Sequence, residues 1–535
     1  MGLEIVTMDS APLTSHPCPE VPCMPSDNER DDDISSDGLS RRELLIGSAA
    51  AAVPLLRGER FPAGDTVGRA RAPGRDFVIE PSWALVSRGG APALLRDASI
   101  RVRGSEIVAI TEGRIAGNIP RIDARGQLLL PGFISGHTHA ASGSPTRGII
   151  EGGRSYQRPL ELLEALPDDD LDAITAYNVA ELLRSGCTSH VEMSLSLRQA
   201  QSYVRVARRW HVRGFPGGMV PGTARLFPIW RRSSDQPLYD SVAGTMAEID
   251  ANRVFALSVN GAEEGLIRPM MTPHATDTHT PETMRAMIAA AREIGNGMHI
   301  HLAQGAGEAR ITQRLWNASP ATWLEQLGAF DGPLFGAHMT GATAEDFAVM
   351  QRRGGVYAHC PSGGGAGASS GSQPYPEALT AGVRTNIGID THSNDYVENL
   401  KLAVLCGRAR ARLLNAANGT TLRLPTIRDA VDGATIVAAD GLRRSDLGRI
   451  AVGAKADLCS IDVSGFLMGS GSAGPEPLNN LLYANGLAVR HVVTEGYVQV
   501  FDGRLVVDDE VRVRQRGGEG VQRIWEQLRS ERWFA

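Results

Sequence analysis

From residue 128 onward the chain alternates short apolar runs with longer stretches of helical periodicity. Eight runs read as strands: "LLLPGFISGHTH", "TSHVEM", "GFPGGMV", "VFALSV", "MHIHLA", "LFGAHM", "GVYAHC" and "RTNIGID". Between them lie segments such as "PDDDLDAITAYNVAELLRSG" and "TPETMRAMIAAAREIG", with acidic first turns, apolar residues near i, i+3, i+4 and a closing glycine, the marks of amphipathic helices. Strand and helix in strict alternation predict parallel βα units. Repeated eight times over residues 129–440, they predict an α/β fold, a (β/α)8 barrel of TIM type, whose chemistry belongs at the C-terminal ends of the strands.

The flanking segments follow another rule. In 76–128 and 441–515, "DASIRVRGSEIVAI", "RIDARGQLLL", "RHVVTEGYVQV" and "GRLVVDDEVRV" alternate with period two and break at glycines, which predicts strands with one buried face. We read them as one small β-sandwich domain assembled from both ends of the chain, followed by a C-terminal helix over 516–535. Residues 1–75 form a leader: "SDNERDDDISSDG" is charged and poor in apolar residues, a composition that does not build a core. Arg41 and Arg42 stand immediately before a weakly apolar run, "ELLIGSAAAAVPLL", in the manner of a twin-arginine export signal. The run is too short to span a bilayer. The expected location is therefore periplasmic or extracellular, or cytoplasmic if the signal does not function.

Composition narrows the partners. The chain has 535 residues, 42% of them hydrophobic, and a formal net charge of -6, which supports a large core and gives no basic footprint for nucleic acid or anionic membrane. A small-molecule substrate is expected; no stable membrane insertion is, and self-association stays open. Lys401 and Lys455 are the only lysines. Six cysteines over this length make no disulfide framework.

The histidines carry the chemistry. His137 and His139 are two apart at the end of an apolar strand, so the pleat places both on one face. His301 ends the fifth run, His338 the sixth and Asp390 the eighth, and a barrel would bring all five to one rim. Together they offer nitrogen and oxygen ligands suited to one divalent metal ion. His190, His211, His279 and His359 are read as packed core or rim residues. Cys360 has no adjacent base in sequence and is read as a packed thiol.

Seven motifs in order, "LLLPGFISGHTHA", "TPHATDTHTPETM", "HIHLAQ", "LFGAHMT", "VYAHCPSGG", "IGIDTHSND" and "LGRIAVGAKADL", resemble those of the amidohydrolase superfamily, in particular its cytosine/guanine deaminase and triazine chlorohydrolase branch. The resemblance covers residues 78–510. It implies His137, His139, His301 and Asp390 as metal ligands, His338 as a ligand or a partner of the attacking water, and His274 as a substrate contact. It also implies a single ion, zinc before iron. The family's two-metal form needs a bridging lysine on strand four, and "VFALSV" has none.

Gln304 departs from the pattern. The deaminase branch has a glutamate there that protonates the ring nitrogen, and an amide cannot exchange protons in that way. Losing a positioned acid or base costs on the order of 10²- to 10⁴-fold. The reading is therefore a metal-dependent amidohydrolase acting on non-peptide carbon–nitrogen bonds in amides, ureas, carbamates or ring substituents, with His338, Asp390 and Gln304 as catalytic residues and Gln304 and His274 binding substrate. The alternatives are a heterocycle aminohydrolase that uses another acid, and a non-catalytic protein that keeps the metal. A glycine- and serine-rich stretch after the seventh run, "SGGGAGASSGSQPYP", is read equally as a lid or a surface loop. Trp230, Arg231 and Arg232 are read as solvated loop residues.

Overall fold

The computed structural model describes residues 72–149, 152–230, 241–363, 372–472 and 474–534. Residues 1–71 of the leader, with Arg41 and Arg42, lie outside these residues, as do Arg231, Arg232 and most of the glycine-rich stretch. No helix among the described residues is long and apolar enough to cross a membrane.

Eight parallel strands run in chain order: β1 Phe133–Thr138, β2 Cys187–Ser194, β3 Arg213–Val220, β4 Thr272–Pro273, β5 Met298–Leu302, β6 Leu334–His338, β7 Val356–His359 and β8 Arg384–Ile387. They make two four-stranded sheets, β1 to β4 and β5 to β8. Parallel bridges at Met271–Met298 and at Thr138–Asp390 join the sheets at both seams. The arrangement is TIM-barrel-like. Most strands are buried along their whole length, so their apolar runs are continuous rather than alternating.

The intervening helices begin and end where their capping residues dictate. Thr280 accepts the Thr283 N–H ahead of Pro281–Ile294, which stops at Gly295 with φ 87°; Thr343 and Asp346 cap Ala344–Arg353, which stops at Gly354 with φ 69°.

Three expectations are corrected. "VFALSV" is the end of helix Val242–Val259, not a strand: its apolar run continues a helix already capped by Ser241, and the fourth strand is the two-residue Thr272–Pro273. "LLLPGFISGHTH" holds two strands rather than one. Its first half ends the outer strand Arg121–Pro131 and β1 begins at Phe133, the break falling at Gly132, where a Cβ would stand 2.3 Å from Thr188 Oγ1. The C-terminal helix is Glu510–Ser530 and starts before residue 516, because Asp509 accepts the N–H groups of Val511 and Arg512 and turns "DDEVRV" into a helix start.

The flanking strands form one nine-stranded sheet. Arg121–Pro131 pairs parallel with Asp76–Arg88 and antiparallel with Leu458–Asp462, so the two ends of the chain meet at its centre. Phe77, Ile79, Ile100, Val102, Ile122, Leu458 and Val493 fill one face. Arg213, at the start of β3 and 1% exposed, reaches into this sheet to Asp457 at 2.7 Å and to Glu495. A buried guanidinium is tolerable only with such partners.

Candidate metal centre and active site

The side chains proposed as ligands come together. His137 lies in β1 and His139 just beyond it; His301 lies in β5, His338 closes β6, and Asp390 follows β8. All five are buried. Ligand atoms of His137, His139 and His301 lie within 4.8 Å of one another, as do those of His137, His338 and Asp390. His301 Nε2 faces His139 Nε2 at 3.4 Å. Asp390 Oδ1 stands 3.5 Å from His139 Nε2 and 3.9 Å from His137 Nε2, and Oδ2 stands 4.0 Å from His338 Nε2. Nε2 of His137 and of His338 are buried with no hydrogen-bond partner among the described residues. Lone pairs of buried imidazoles turned toward one another, as those on Nε2 of His139 and His301 are beside the Asp390 carboxylate, are costly unless a cation fills the centre, so this donor set fits a divalent metal ion.

The far side of each ring sets its direction. His139 Nδ1 donates to the Met193 carbonyl at 2.5 Å and His301 Nδ1 to the His274 carbonyl at 3.0 Å, while His137 Nδ1 meets His299 Nε2 at 2.7 Å. A carbonyl can only accept, so in His139 and His301 the proton sits on Nδ1 and the Nε2 lone pair faces the centre. Burial lowers the pKa of His139 to about 4 and those of His274 and His338 to about 3, with His137 and His301 also well below the usual value. The rings are thus neutral at physiological pH, the state in which imidazole binds metal.

Two site residues hold left-handed backbone, His338 at φ 73° and Asp390 at φ 63°, each costing roughly 1–3 kcal/mol. The Asp390 N–H donates to the His137 carbonyl, and its own carbonyl accepts the His139 N–H, which locks the aspartate against β1. Gly363 packs on its carboxylate, leaving no room for a side chain: a Cβ there would lie 2.5 Å from Asp390 Oδ2.

His274 and Gln304 line the same pocket as His139, His301 and Asp390. The His274 ring lies 5.1 Å from that of His301. Leu160, Leu195, Met219 and Phe227 form an apolar wall. Gln304 is exposed in the pocket. The four histidines read as packed residues are so placed: His190 contacts the Tyr203 hydroxyl, His211 stacks on Tyr497, His279 donates to the Val220 carbonyl and His359 stacks on Tyr375. The Cys360 thiol is buried and its pKa pushed well up by that burial. Neither lysine is near β4: Lys401 lies in helix Tyr396–Asn418, and Lys455 pairs with Glu495 at 3.1 Å.

Sequence reasoning missed the carboxyls beneath the site. Glu192, fully buried in β2, accepts the Ala140 N–H at 3.0 Å and the Ser194 hydroxyl at 2.8 Å, holding the turn after His139, and burial pushes its pKa up to about 8. Glu308 accepts the Gln304 N–H at 2.6 Å with one oxygen and the Thr276 N–H and hydroxyl, at 3.1 and 2.6 Å, with the other. It therefore ties the loop after β5 to the loop after β4 that carries His274. Asp277 is buried near it, and burial followed by the Glu308 charge pushes its carboxyl up to about 8 from 3.8. Between these values the folded chain keeps a proton that the unfolded chain releases, so this group favours the fold fully below about pH 4 and loses that contribution as pH rises toward 8. Asp277→Asn is expected to gain in thermal midpoint relative to the parent as pH is raised across that window at equal metal loading; parallel profiles would refute the shift.

Comparison with known proteins yields a consistent picture. A family model described as "Amidohydrolase family" matches residues 128–499. A 5-methylthioadenosine/S-adenosylhomocysteine deaminase of Moorella thermoacetica is 28% identical over 402 residues, covering 69% of this chain and 85% of the relative. Among solved structures, atrazine chlorohydrolase TrzN from Arthrobacter aurescens TC1 complexed with zinc superposes with a TM-score of 0.69 at 20% identity, over 83% of this chain and 100% of that one. An adenosine deaminase from Xanthomonas campestris with bound zinc gives 0.67 at 22% identity, over 84% and 99%.

Proposed function

Since the chain belongs to the amidohydrolase family, we propose that it hydrolyses non-peptide carbon–nitrogen bonds of a small molecule at the centre built by His137, His139, His301 and Asp390. It is a hydrolase acting on carbon–nitrogen bonds. The observation that carries the site assignment is the convergence of three imidazoles and one carboxylate within a few ångströms, with the rings of His139 and His301 turned inward by carbonyl partners. One zinc ion, or iron in its place, is part of the proposal; the zinc held by similar structures and the nitrogen-rich donor set support it. When bound, such an ion supplies Lewis acidity that makes water nucleophilic near neutral pH.

The chain's own residues divide the remaining work. Asp390, which lines the pocket together with His139 and His301, takes a proton from the attacking water and returns it to the departing amine. His338 orients the attack and stabilises developing negative charge. Gln304, exposed in the pocket, and His274 hydrogen-bond substrate, and the apolar wall receives its non-polar part.

A narrower reading, deamination of a heterocycle, is favoured by the deaminase among the relatives. It requires an acid other than Gln304. The same proposal takes the two parallel sheets as one closed eight-stranded barrel and the nine-stranded sheet as a β-sandwich domain, supported by the bridges at both seams and by the pairing of the chain's two ends. Export by the twin-arginine route also belongs to it, supported by Arg41 and Arg42 ahead of the apolar run.

Elemental analysis of the full chain produced with ample zinc and iron, coupled to a hydrolysis screen over amides, ureas, carbamates and aminated rings, tests the reading. The expected result is a stoichiometric metal and turnover that a chelator abolishes. Protein without stoichiometric metal after such production would overturn it.

A further inference from the structure

We propose that Gln373 is a positioning residue that holds the proton of His338 on Nε2, so that this ring meets the reacting atoms as a hydrogen-bond donor; the inference rests on the hydrolase reading above. The Gln373 side chain is 1% exposed. Its oxygen accepts the Cys360 backbone N–H at 2.8 Å and lies 3.0 Å from His359 Nδ1, and its nitrogen donates to the Cys360 carbonyl at 2.9 Å. Backbone groups cannot exchange donor and acceptor roles, so the amide has only one satisfactory orientation.

In that orientation Gln373 Nε2 lies 3.5 Å from His338 Nδ1. An amide nitrogen donates and does not accept, so this contact favours a lone pair on Nδ1 and the single proton of the neutral ring on Nε2. That atom is buried, has no partner among the described residues and stands 4.0 Å from Asp390 Oδ2.

The contrast with the neighbouring rings is chemical. Nδ1 of His139 and of His301 faces a carbonyl oxygen, which demands a proton there and leaves a lone pair inward. Nδ1 of His338 faces an amide nitrogen, which reverses the assignment. Rings of one residue type around one centre are thereby given opposite duties by the groups behind them.

Two measurements decide it. In long-range ¹H–¹⁵N spectra of the zinc-loaded full chain, the Nδ1 of His338 is expected to resonate as an unprotonated nitrogen and Nε2 as a protonated one; the reverse pattern would overturn the proposal without any variant. Gln373→Glu keeps the bond from the Cys360 N–H, gives up the one to the Cys360 carbonyl, and sets an acceptor against His338 Nδ1, so the proton is expected to move to Nδ1. With metal content unchanged and KM within about threefold, kcat should fall on the order of 10²-fold, the usual effect of removing one aimed donor. A kcat within threefold of the parent, or a loss of activity that comes with loss of the metal, would overturn the assignment.

Discussion

Asp390→Asn is expected to lower kcat by on the order of 10³- to 10⁴-fold, roughly 4–5.5 kcal/mol of barrier. The amide matches the carboxylate in shape, so the hydrogen bonds of the residue 390 backbone to His137 and His139 persist, but it can neither take a proton from water nor hand one to an amine. Removing the negative charge also leaves the Nε2 atoms of His137, His139 and His338, now 3.5 to 4.0 Å from a carboxylate oxygen, facing a neutral group. Measuring kcat for any substrate identified in the hydrolysis screen, at saturating zinc and with metal content determined on the same sample, checks this. A variant that turns over within tenfold of the parent would move the proton-transfer role elsewhere.

Gln304→Glu is the second large effect. Restoring a carboxyl at the exposed pocket edge is expected to raise ammonia release from aminated purines, pyrimidines or triazines by on the order of 10²- to 10⁴-fold. The position is permissive for the change because the side chain at 304 is exposed and its backbone N–H, not its amide, is what Glu308 holds. Because the neutral amide serves as a hydrogen-bond partner in the proposed reaction, the variant's activity on the parent's own substrate should fall. Ammonia release no faster than in the parent would show that position 304 does not limit deamination.

Most of the parallel strands and the histidines at their ends were legible because both obey short-range rules. Strand-end histidines two apart on a pleat, or closing an apolar run, declare their direction without knowledge of the rest of the fold. "VFALSV" failed that logic: an apolar run of six residues suits a buried strand and a helix end equally, and Ser241, the cap that decides the matter, lies well upstream. The true fourth strand, Thr272–Pro273, is too short to leave a pattern of its own. It was nonetheless marked by its neighbour His274, which the motif "TPHAT" singled out.

What stayed hidden was the layer behind the ligands. Glu308 and Asp277 lie on different segments and become neighbours only when the loops after β4 and β5 close on each other. His299 lies two residues before His301 in β5, but its use as the partner of His137 depends on strands 162 residues apart in sequence. Gln373 sits in the glycine- and serine-rich stretch read equally as a lid or a surface loop. Its importance comes from the Cys360 backbone, which fixes the amide, and no composition rule reports that.

The meeting of the two chain ends in one sheet bears on how the molecule comes into being. Arg121–Pro131 emerges early in synthesis with one edge unsatisfied, and its antiparallel neighbour Leu458–Asp462 arrives more than three hundred residues later. Joining across that separation is entropically late, so the pairing that completes the sheet is expected only after the strands lying between the two segments have been made. The sheet is therefore sealed by its most distant pair.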